Sequence, residues 1–173
     1  MNAIAEKVKV DGNNIYYAED GIIVRRSVMS DVYDLAGNMR ESDRQEIWAA
    51  AHLLPIDALK SSVEKCLFCL TAEDKDGVIL MFGINPPSIL GSSAIIWMLA
   101  SPRLDNFKMR FIRNSRRFID MFLCFYPYLE NFVDFRNLNS IKWLRFLGAV
   151  IEEKKPYGID GLDFHHFYFT KGK

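Results

Sequence analysis

Three charged side chains recur at every third position between Arg40 and Glu46. On a helix, Arg40, Asp43 and Glu46 would follow one polar stripe, with Arg44 beside them. Carboxylates have the chemistry of a general base, because a positioned carboxylate can take a proton from an amine. A solvated helix face with local ion pairs explains the same spacing. The stripe therefore allows both a structural and a catalytic interpretation.

The cysteines and histidines do not form a metal-binding pattern. Cys66 and Cys69 make a C-x-x-C pair without a second pair, and only His52, His165 and His166 are available to complete four ligands. Positions three apart on a strand point to opposite faces, so we expect buried structural thiols and no metal. His165 and His166 fall on a predicted final strand, where one side chain should face the core and the other should not.

Two tryptophans and two polar residues stand where core packing competes with ligand binding. Trp97 lies in the most apolar run of the chain and Trp143 on a predicted helix, so core packing is the simpler role for both. Asp134 and Asn137 flank the end of a predicted strand. Turn formation or helix capping is expected of Asn137, with contact between its amide and a ligand as the alternative.

Four arginines follow one long predicted helix: Arg110, Arg113, Arg116 and Arg117. They are expected to form a solvated face, with phosphate binding as the alternative. The chain has 22 basic and 22 acidic residues, and this balance argues against a nucleic-acid partner.

The composition indicates one soluble, well-packed domain. With 173 residues, 50% of them hydrophobic and 13% aromatic, the chain can bury a substantial core. Its three cysteines are too few and too unevenly placed for a secreted disulfide framework, so a reducing cytoplasm is expected. We find no signal peptide and no apolar run of the roughly twenty residues that a membrane span needs.

Hydrophobic periodicity predicts an α+β fold, close to α/β, with one central mixed sheet. We expect residues 1–20 to form an N-terminal arm or short strand and residues 21–173 to form a single domain. The predicted strands are 14–18, 22–28, 65–72, 78–84, 94–100, 133–135, 150–155 and 164–170, and the predicted helices are 32–39, 41–52, 56–63, 106–126 and 141–147. Ser30 and Asp31 offer an N-cap for the first of these helices, and Pro55 stops the second. The run 94–100 is continuous and apolar, which is typical of a strand buried on both faces.

A compact unit between Phe132 and Ala149 organises the second half of the chain. A short strand leads into an asparagine turn at Asn137, then into an amphipathic helix that ends at Gly148. Such units usually place a ligand or a partner at the end of the strand.

The unit, together with the long helix before it, resembles the GNAT acyltransferase fold. In that fold a strand, an asparagine turn and a helix ending in Leu-Gly-Phe follow the helix on the cofactor side. Asn137, Ile141, Leu147 and Gly148 stand at the matching spacing. The resemblance implies a central, mixed and mostly antiparallel sheet flanked by helices.

A closer resemblance is to a phage family, the internal-virion-protein-A-like proteins of short-tailed and related phages. Three segments carry it, Asn38–Ala50, Ile95–Leu104 and Tyr126–Glu153, together with the closing aromatic strand Phe164–Phe169. The resemblance covers roughly residues 22–170. It implies a phage protein in the virion or the host cytoplasm, with other virion or host proteins as partners.

The resemblance also implies acetyl-CoA as the cofactor, without a metal, and suggests where the sites lie. The candidate bases are Glu46, as first choice, and Asp43; the candidate cofactor-binding residues are Leu99, Lys108, Met109, Arg110 and Asn137; the candidate substrate-binding residues are Arg40, Trp97 and Asp134. In these families the helix that carries Glu46 would border the acceptor cleft.

Two departures from the GNAT pattern affect activity. Working enzymes hold the CoA pyrophosphate on a glycine-rich loop that opens the long helix, but Arg103–Phe111 contains no glycine. Lys108, Arg110 and Arg113 could meet a phosphate only by charge. Many GNAT enzymes also place a proton-donating tyrosine four residues before the glycine, where this chain has Leu144, and a phenylalanine after it, where this chain has Ala149.

Two hypotheses follow from these departures. The first is a phage protein, associated with the virion or directed at the host, that keeps the fold while acyl transfer is reduced or lost. The second is an active acetyl-CoA-dependent N-acetyltransferase that acts on a protein or a small-molecule amine through Glu46 or Asp43.

Overall fold

The computed structural model describes residues 15–88 and 90–171. The strands are β1 (Ile15–Glu19), β2 (Ile22–Arg26), β3 (Phe68–Asp74), β4 (Gly77–Asn85), β5 (Ser93–Ala100), β6 (Tyr128–Asp134), β7 (Val150–Tyr157) and β8 (Leu162–Thr170). The helices are α1 (Met29–Asn38), α2 (Glu41–Ala51), α3 (Pro55–Lys65), α4 (Lys108–Leu123) and α5 (Leu138–Phe146), with a 3-10 helix, Pro102–Phe107, before α4. Most of the predicted arm, residues 1–14, lies outside the described residues, and its predicted strand is β1.

All eight strands form one sheet in the order β1-β2-β3-β4-β5-β6-β8-β7. Every neighbouring pair is antiparallel except β5 and β6, which are parallel because the 3-10 helix and α4 form a crossover between them. The prediction of an α+β fold with a mixed, mostly antiparallel sheet is therefore confirmed.

Two clusters of buried side chains hold the helices against the sheet. The larger joins α4 and α5 to the strands and includes Leu80, Phe118, Phe122, Leu129 and Ile141. The smaller joins α1 and α3 to the strands and includes Val32, Leu35, Leu59, Met81 and Trp97. The helical periodicity seen in the sequence produces these contacts, since the apolar stripe of each helix faces the sheet.

The start of the first helix differs from the prediction, whereas the end of the second agrees with it. We expected Ser30 or Asp31 to cap α1, but the cap position is Val28, and Asp31 is buried with its carboxylate accepting the Val28 N–H at 2.9 Å. The α2 helix ends at Ala51, within one residue of the predicted end, and its C-cap His52 has the left-handed φ of +50°. Pro55 then begins α3, where a missing N–H costs nothing.

The prediction that residues 94–100 are buried on both faces is correct only in part. Ala94 and Ala100 are fully buried, but Ile95 is 43% exposed, and Ile96 and Met98 are half-buried. The apolar pattern is that of a central strand, yet β5 lacks a neighbour along much of one edge. This loss of pairing creates the opening described next.

Candidate functional site

A gap through the sheet separates β5 from β6. The two strands pair only from Ser93–Tyr128 to Ile95–Glu130 and then diverge. Just past the last pair, the Asn131 side-chain amide donates to the Ile96 carbonyl at 2.8 Å. We call the resulting gap the β5–β6 opening. Its walls are shared by the cavities on both faces of the sheet and comprise Ile96, Trp97, Met98, Trp143, Leu144 and Phe167.

The cavity on the α2 side of this opening is partly polar. It is lined by side chains of α2, β6 and the start of α5, including Arg40, Asp43, Glu46, Asn131 and Asn137. The cavity on the α4 side is mainly aromatic and aliphatic, with Phe82, Phe111, Phe118 and Phe122 among its walls. The opening therefore lies between a partly polar cavity and an apolar one.

Glu46 is the titratable group whose environment best suits proton transfer. Its Oε2 accepts a hydrogen bond from the Asn137 amide at 3.1 Å. Burial raises the pKa of the Glu46 carboxyl to about 7, and the charges of Asp43 and Asp134 add to the increase, whereas the Asn137 hydrogen bond opposes it. A carboxylate with a pKa near neutrality can both accept and release a proton at physiological pH.

The side chain of Asn137 makes two hydrogen bonds, one to α5 and one to α2. Its Oδ1 accepts the Ser140 N–H at 3.2 Å and so caps α5, as one interpretation of the sequence predicted. Its Nδ2 faces Glu46. Asn137 thus fixes the start of α5 relative to the carboxylate of α2.

Asp43 lies beside Glu46 but is engaged in holding α2 to β5. Its Oδ2 accepts the Ala100 N–H at 2.8 Å, and its Oδ1 lies 2.8 Å from the Arg40 guanidinium. The Arg40 backbone N–H donates to the Ala100 carbonyl at 2.9 Å. Burial raises the pKa of Asp43, although the charge of Arg40 acts against this. These contacts favour a structural role for the Arg40 and Asp43 side chains, which nevertheless line the cavity.

Asp134 and Trp97 also have protein partners. Asp134 is buried at the end of β6 and pairs with Arg136. Burial opposes ionisation, but the hydrogen bonds from Arg136 hold the pKa of Asp134 below its usual value. Trp97 packs in the smaller core cluster and donates its indole N–H to Asn85 Oδ1 at 3.0 Å, so it is both a core residue and a wall of the opening.

The predicted cofactor-binding residues do not come together. Leu99 and Asn137 line the α2-side cavity, whereas Arg110 lines the α4-side cavity. Lys108 and Met109 begin α4 and are exposed, with Met109 at 72%. Arg110 lies 3.1 Å from Asp20, so its charge is already paired within the protein. The start of α4 therefore shows no side-chain cradle for a pyrophosphate among the described residues.

Two other arginines of α4 contact neighbouring elements of the protein. Arg116 donates to the Leu147 carbonyl at 2.8 Å and to Asp120 at 3.1 Å, which joins α4 to the end of α5. The guanidinium of Arg117 lies over the Tyr17 ring at 5.4 Å. The predicted solvated face thus includes contacts that hold neighbouring elements in place.

The structure places the two residues of the C-x-x-C pair on different elements. Cys69 is buried in β3, whereas Cys66 precedes the strand and its thiol contacts the Phe68 carbonyl at 2.6 Å, so the two do not share a strand as we assumed. Within residues 15–88 and 90–171, no group of three potential metal ligands occurs. His166 is buried between Glu130, at 3.0 Å, and Glu152, at 3.2 Å.

Sequence reasoning missed the loop that closes the α2-side cavity. The turn between β7 and β8 packs on the end of α2, where the Ile159 N–H donates to the Ala50 carbonyl at 3.2 Å. Gly158 has φ +73°, and a Cβ at this position would lie 2.6 Å from the Ala49 carbonyl oxygen. Tyr157 then stacks on Phe132 with ring centroids 3.8 Å apart. Glycines in the sequence marked this turn, but only the fold reveals what it approaches.

None of the helices in the described part of the chain combines the length and apolarity required to cross a bilayer.

Solved acetyltransferase structures share this fold. Spermidine N-acetyltransferase from Vibrio cholerae, determined with CoA and spermine, superposes with a TM-score of 0.63 at 16% identity, covering 88% of this chain and 96% of that one. Ribosomal-protein-alanine N-acetyltransferase from Brucella melitensis gives a TM-score of 0.65 at 15% identity, with coverage of 86% and 99%. A GNAT-family acetyltransferase from Bacillus anthracis gives 0.64 at 10% identity, with coverage of 88% and 96%. The chain has the GNAT acyltransferase fold, as predicted.

A phage family matches part of the sequence. Residues 77–155 match the family model described as "Bacteriophage T7, probable scaffold protein Gp13". This segment runs from β4 into β7 and includes every wall residue of the β5–β6 opening except Phe167. No curated protein matches the sequence. Similarity to a phage protein family is thus confirmed.

Proposed function

We propose that the chain is a phage protein that binds an acyl thioester in the β5–β6 opening and transfers the acyl group to an amine. The observation that carries the proposal is Glu46, a carboxylate with a pKa raised to about 7, on the wall of the α2-side cavity. Glu46 would take a proton from the attacking amine, directly or through water, while the amine nitrogen forms its bond to the carbonyl carbon. The C–S bond then breaks.

The departing sulphur has no side-chain acid at the position where many GNAT enzymes carry tyrosine. Leu144 is 5% exposed and lies on the shared wall of the opening, where it contributes only apolar surface. The sulphur would therefore leave as a thiolate and take its proton from solvent. Transfer is expected to be slower than in an enzyme with a proton donor at this point.

The chain fits the acyl end of acetyl-CoA better than its nucleotide end. When bound, the thioester supplies an activated carbonyl, and the apolar walls of the opening suit its acyl and pantetheine parts. At the start of α4, by contrast, Arg103 is paired with Asp74 and Arg110 with Asp20, and no glycine brings backbone N–H groups close to a phosphate. We expect acetyl-CoA to bind weakly.

Thermal unfolding with acetyl-CoA tests the binding step. A ligand at one hundred times its dissociation constant adds about 2.7 kcal/mol to the free energy of unfolding. The proposal predicts a rise in the unfolding midpoint with millimolar acetyl-CoA, and no rise would overturn it.

Substitution of Glu46 tests the chemical step. The Glu46→Gln variant should keep the ligand-induced rise in midpoint and lose acyl transfer to amines. Glu41→Gln, at an exposed position five residues earlier on α2, is the matched control and should keep both. Full transfer activity in Glu46→Gln would remove this residue from the role of base.

A second candidate is a component of the phage particle whose acyl transfer is reduced or lost. The match to the scaffold-protein family over residues 77–155 supports it, as does the absence of a proton donor at Leu144. Mass spectrometry of purified particles tests this role. Peptides of the chain at a stoichiometric level would support it, and their absence would leave a role in the host cytoplasm, directed at host proteins.

A further inference from the structure

An unpaired donor lies in the wall of the β5–β6 opening. The indole nitrogen of Trp143 is buried, and its N–H finds no hydrogen-bond partner among the described residues. Trp143 lines the cavities on both faces of the sheet. Its ring stacks on Phe111 with centroids 5.1 Å apart, so neighbouring side chains restrict its orientation.

A buried donor without a partner is uncommon because it loses its hydrogen bonds to water on folding. The other tryptophans avoid this loss. Trp97 donates to Asn85, and Trp48 is 51% exposed. Trp143 therefore suits a hydrogen bond that forms only when a ligand enters the opening and displaces the side chains that cover the indole nitrogen.

We propose that the Trp143 N–H donates a hydrogen bond to the carbonyl oxygen of a bound acyl thioester. The inference rests on the proposed function. A thioester held along the α4 side and an amine held beside Glu46 must meet at the shared wall, which Trp143 helps to form. A donor at this point would hold the carbonyl in place, and it would stabilise the negative charge on oxygen as the amine adds.

The proposed role of Trp143 differs from the role of the tyrosine that many GNAT enzymes carry at the neighbouring position, here Leu144. The position of the missing tyrosine would have served the departing sulphur, whereas the indole N–H serves the oxygen of the same carbonyl. The site would thus keep one polar contact to the reacting group after losing another. The sequence concealed this contact, because Trp143 fits the apolar stripe of α5 equally well as a core residue.

The test compares acetyl-CoA with free CoA, because the two ligands differ only in the acyl group and its carbonyl. Calorimetric titration of the wild-type chain should show acetyl-CoA bound about three- to tenfold more tightly than CoA, the ratio that one neutral hydrogen bond provides. Trp143→Phe should bind both ligands with equal affinity. Trp48→Phe is the matched control, at an exposed tryptophan outside both cavities, and should keep the wild-type ratio.

A second variant distinguishes the effect of losing the N–H group from the effect of losing ring volume. Benzothienylalanine at position 143 keeps a bicyclic ring and replaces the N–H with sulphur. It should also abolish the difference between the two ligands, with an unfolding midpoint of the free protein equal to or above that of the wild type.

Three outcomes are distinguishable. A wild-type preference for acetyl-CoA that persists in the benzothienylalanine variant would overturn the role of Trp143 and leave the proposed function standing. A lower midpoint for this variant without ligand would show that the N–H has a partner within the folded protein, which also overturns the inference. If the wild type binds neither ligand, the proposed function fails and the inference fails with it.

Discussion

The clearest prediction concerns the effect of Glu46 on stability at different pH values. The pKa of this carboxyl is raised from an ordinary 4.5 to about 7 in the folded protein. The folded chain therefore binds the Glu46 proton more tightly than the unfolded chain does. The stabilisation from this proton is fully present below pH 4.5 and is lost as the pH rises through about 7.

The magnitude follows from the two pKa values. Each pH unit between them corresponds to about 1.4 kcal/mol, so ionised Glu46 costs about 3 kcal/mol of folding free energy at pH 8. Glutamine at position 46 has nearly the same shape, remains neutral, and can still accept the Asn137 hydrogen bond. Glu46→Gln should thus match the wild type near pH 4 and exceed its free energy of unfolding by about 3 kcal/mol at pH 8.

Urea denaturation of both proteins from pH 4 to pH 8.5 measures this difference directly. Taking the difference cancels the opposite contribution of carboxylates such as Asp31, which stabilise the fold at higher pH. Glu41→Gln is again the control and should show a difference close to zero throughout. A difference between Glu46→Gln and wild type that does not change with pH would refute the assignment of a raised pKa to Glu46.

Three further substitutions test contacts that hold the fold together. Asp31→Asn disrupts a buried ion pair and should lower the free energy of unfolding by about 3 kcal/mol in urea denaturation at pH 7; an equal loss at pH 2 would contradict the lowered pKa of Asp31. Asn137→Ala removes the α5 cap and should lower the free energy of unfolding by about 1 kcal/mol. The same variant should raise the pKa of Glu46 further, as measured by NMR titration of the carboxyl group. An unchanged pKa would rule out the hydrogen bond between Asn137 and Glu46. Gly148→Ala places a side chain at φ +87° and should lower the free energy of unfolding by about 1–2 kcal/mol in the same denaturation assay. The control is Gly37→Ala, inside α1 with open space around it, which should raise the free energy of unfolding by up to about 1 kcal/mol.

The helices and strands could be predicted from the sequence because their hydrophobic periodicity depends on local chemistry. Apolar residues at helical spacing placed α1, α3 and α4 within a few residues of their observed bounds, and Asn137 was correctly expected to cap a helix. Contacts between segments that are distant along the chain could not be predicted from the sequence. Asp31 was expected at a helix cap, but its carboxylate also accepts a hydrogen bond from Thr71, 40 positions away, and this contact depends on the tertiary fold.

The candidate site was predictable in its residue types but not in its geometry. Glu46 stood out as a carboxylate, yet its raised pKa follows first from burial in the folded protein and then from charges that include Asp134, 88 positions away along the chain. The gap beside Ile96 and Met98 follows from the divergence of β5 and β6, which an apolar run does not indicate. Trp143 was expected in the core because a hydrophobic pattern does not reveal which polar atom is left without a partner.

The three carboxylates around the opening divide into two kinds by their partners. Asp134 is ion-paired with Arg136, and Asp43 is bound by the Arg40 guanidinium and the Ala100 N–H, so both are committed to holding elements together. Glu46 instead accepts a hydrogen bond from the neutral Asn137 amide, which offsets little of the cost of burying a charge. The two committed aspartates also raise the pKa of Glu46 by repulsion. The contacts that fix α2 and β6 in place therefore also adjust Glu46 for proton transfer near neutral pH, which joins the architecture of the opening to its proposed chemistry.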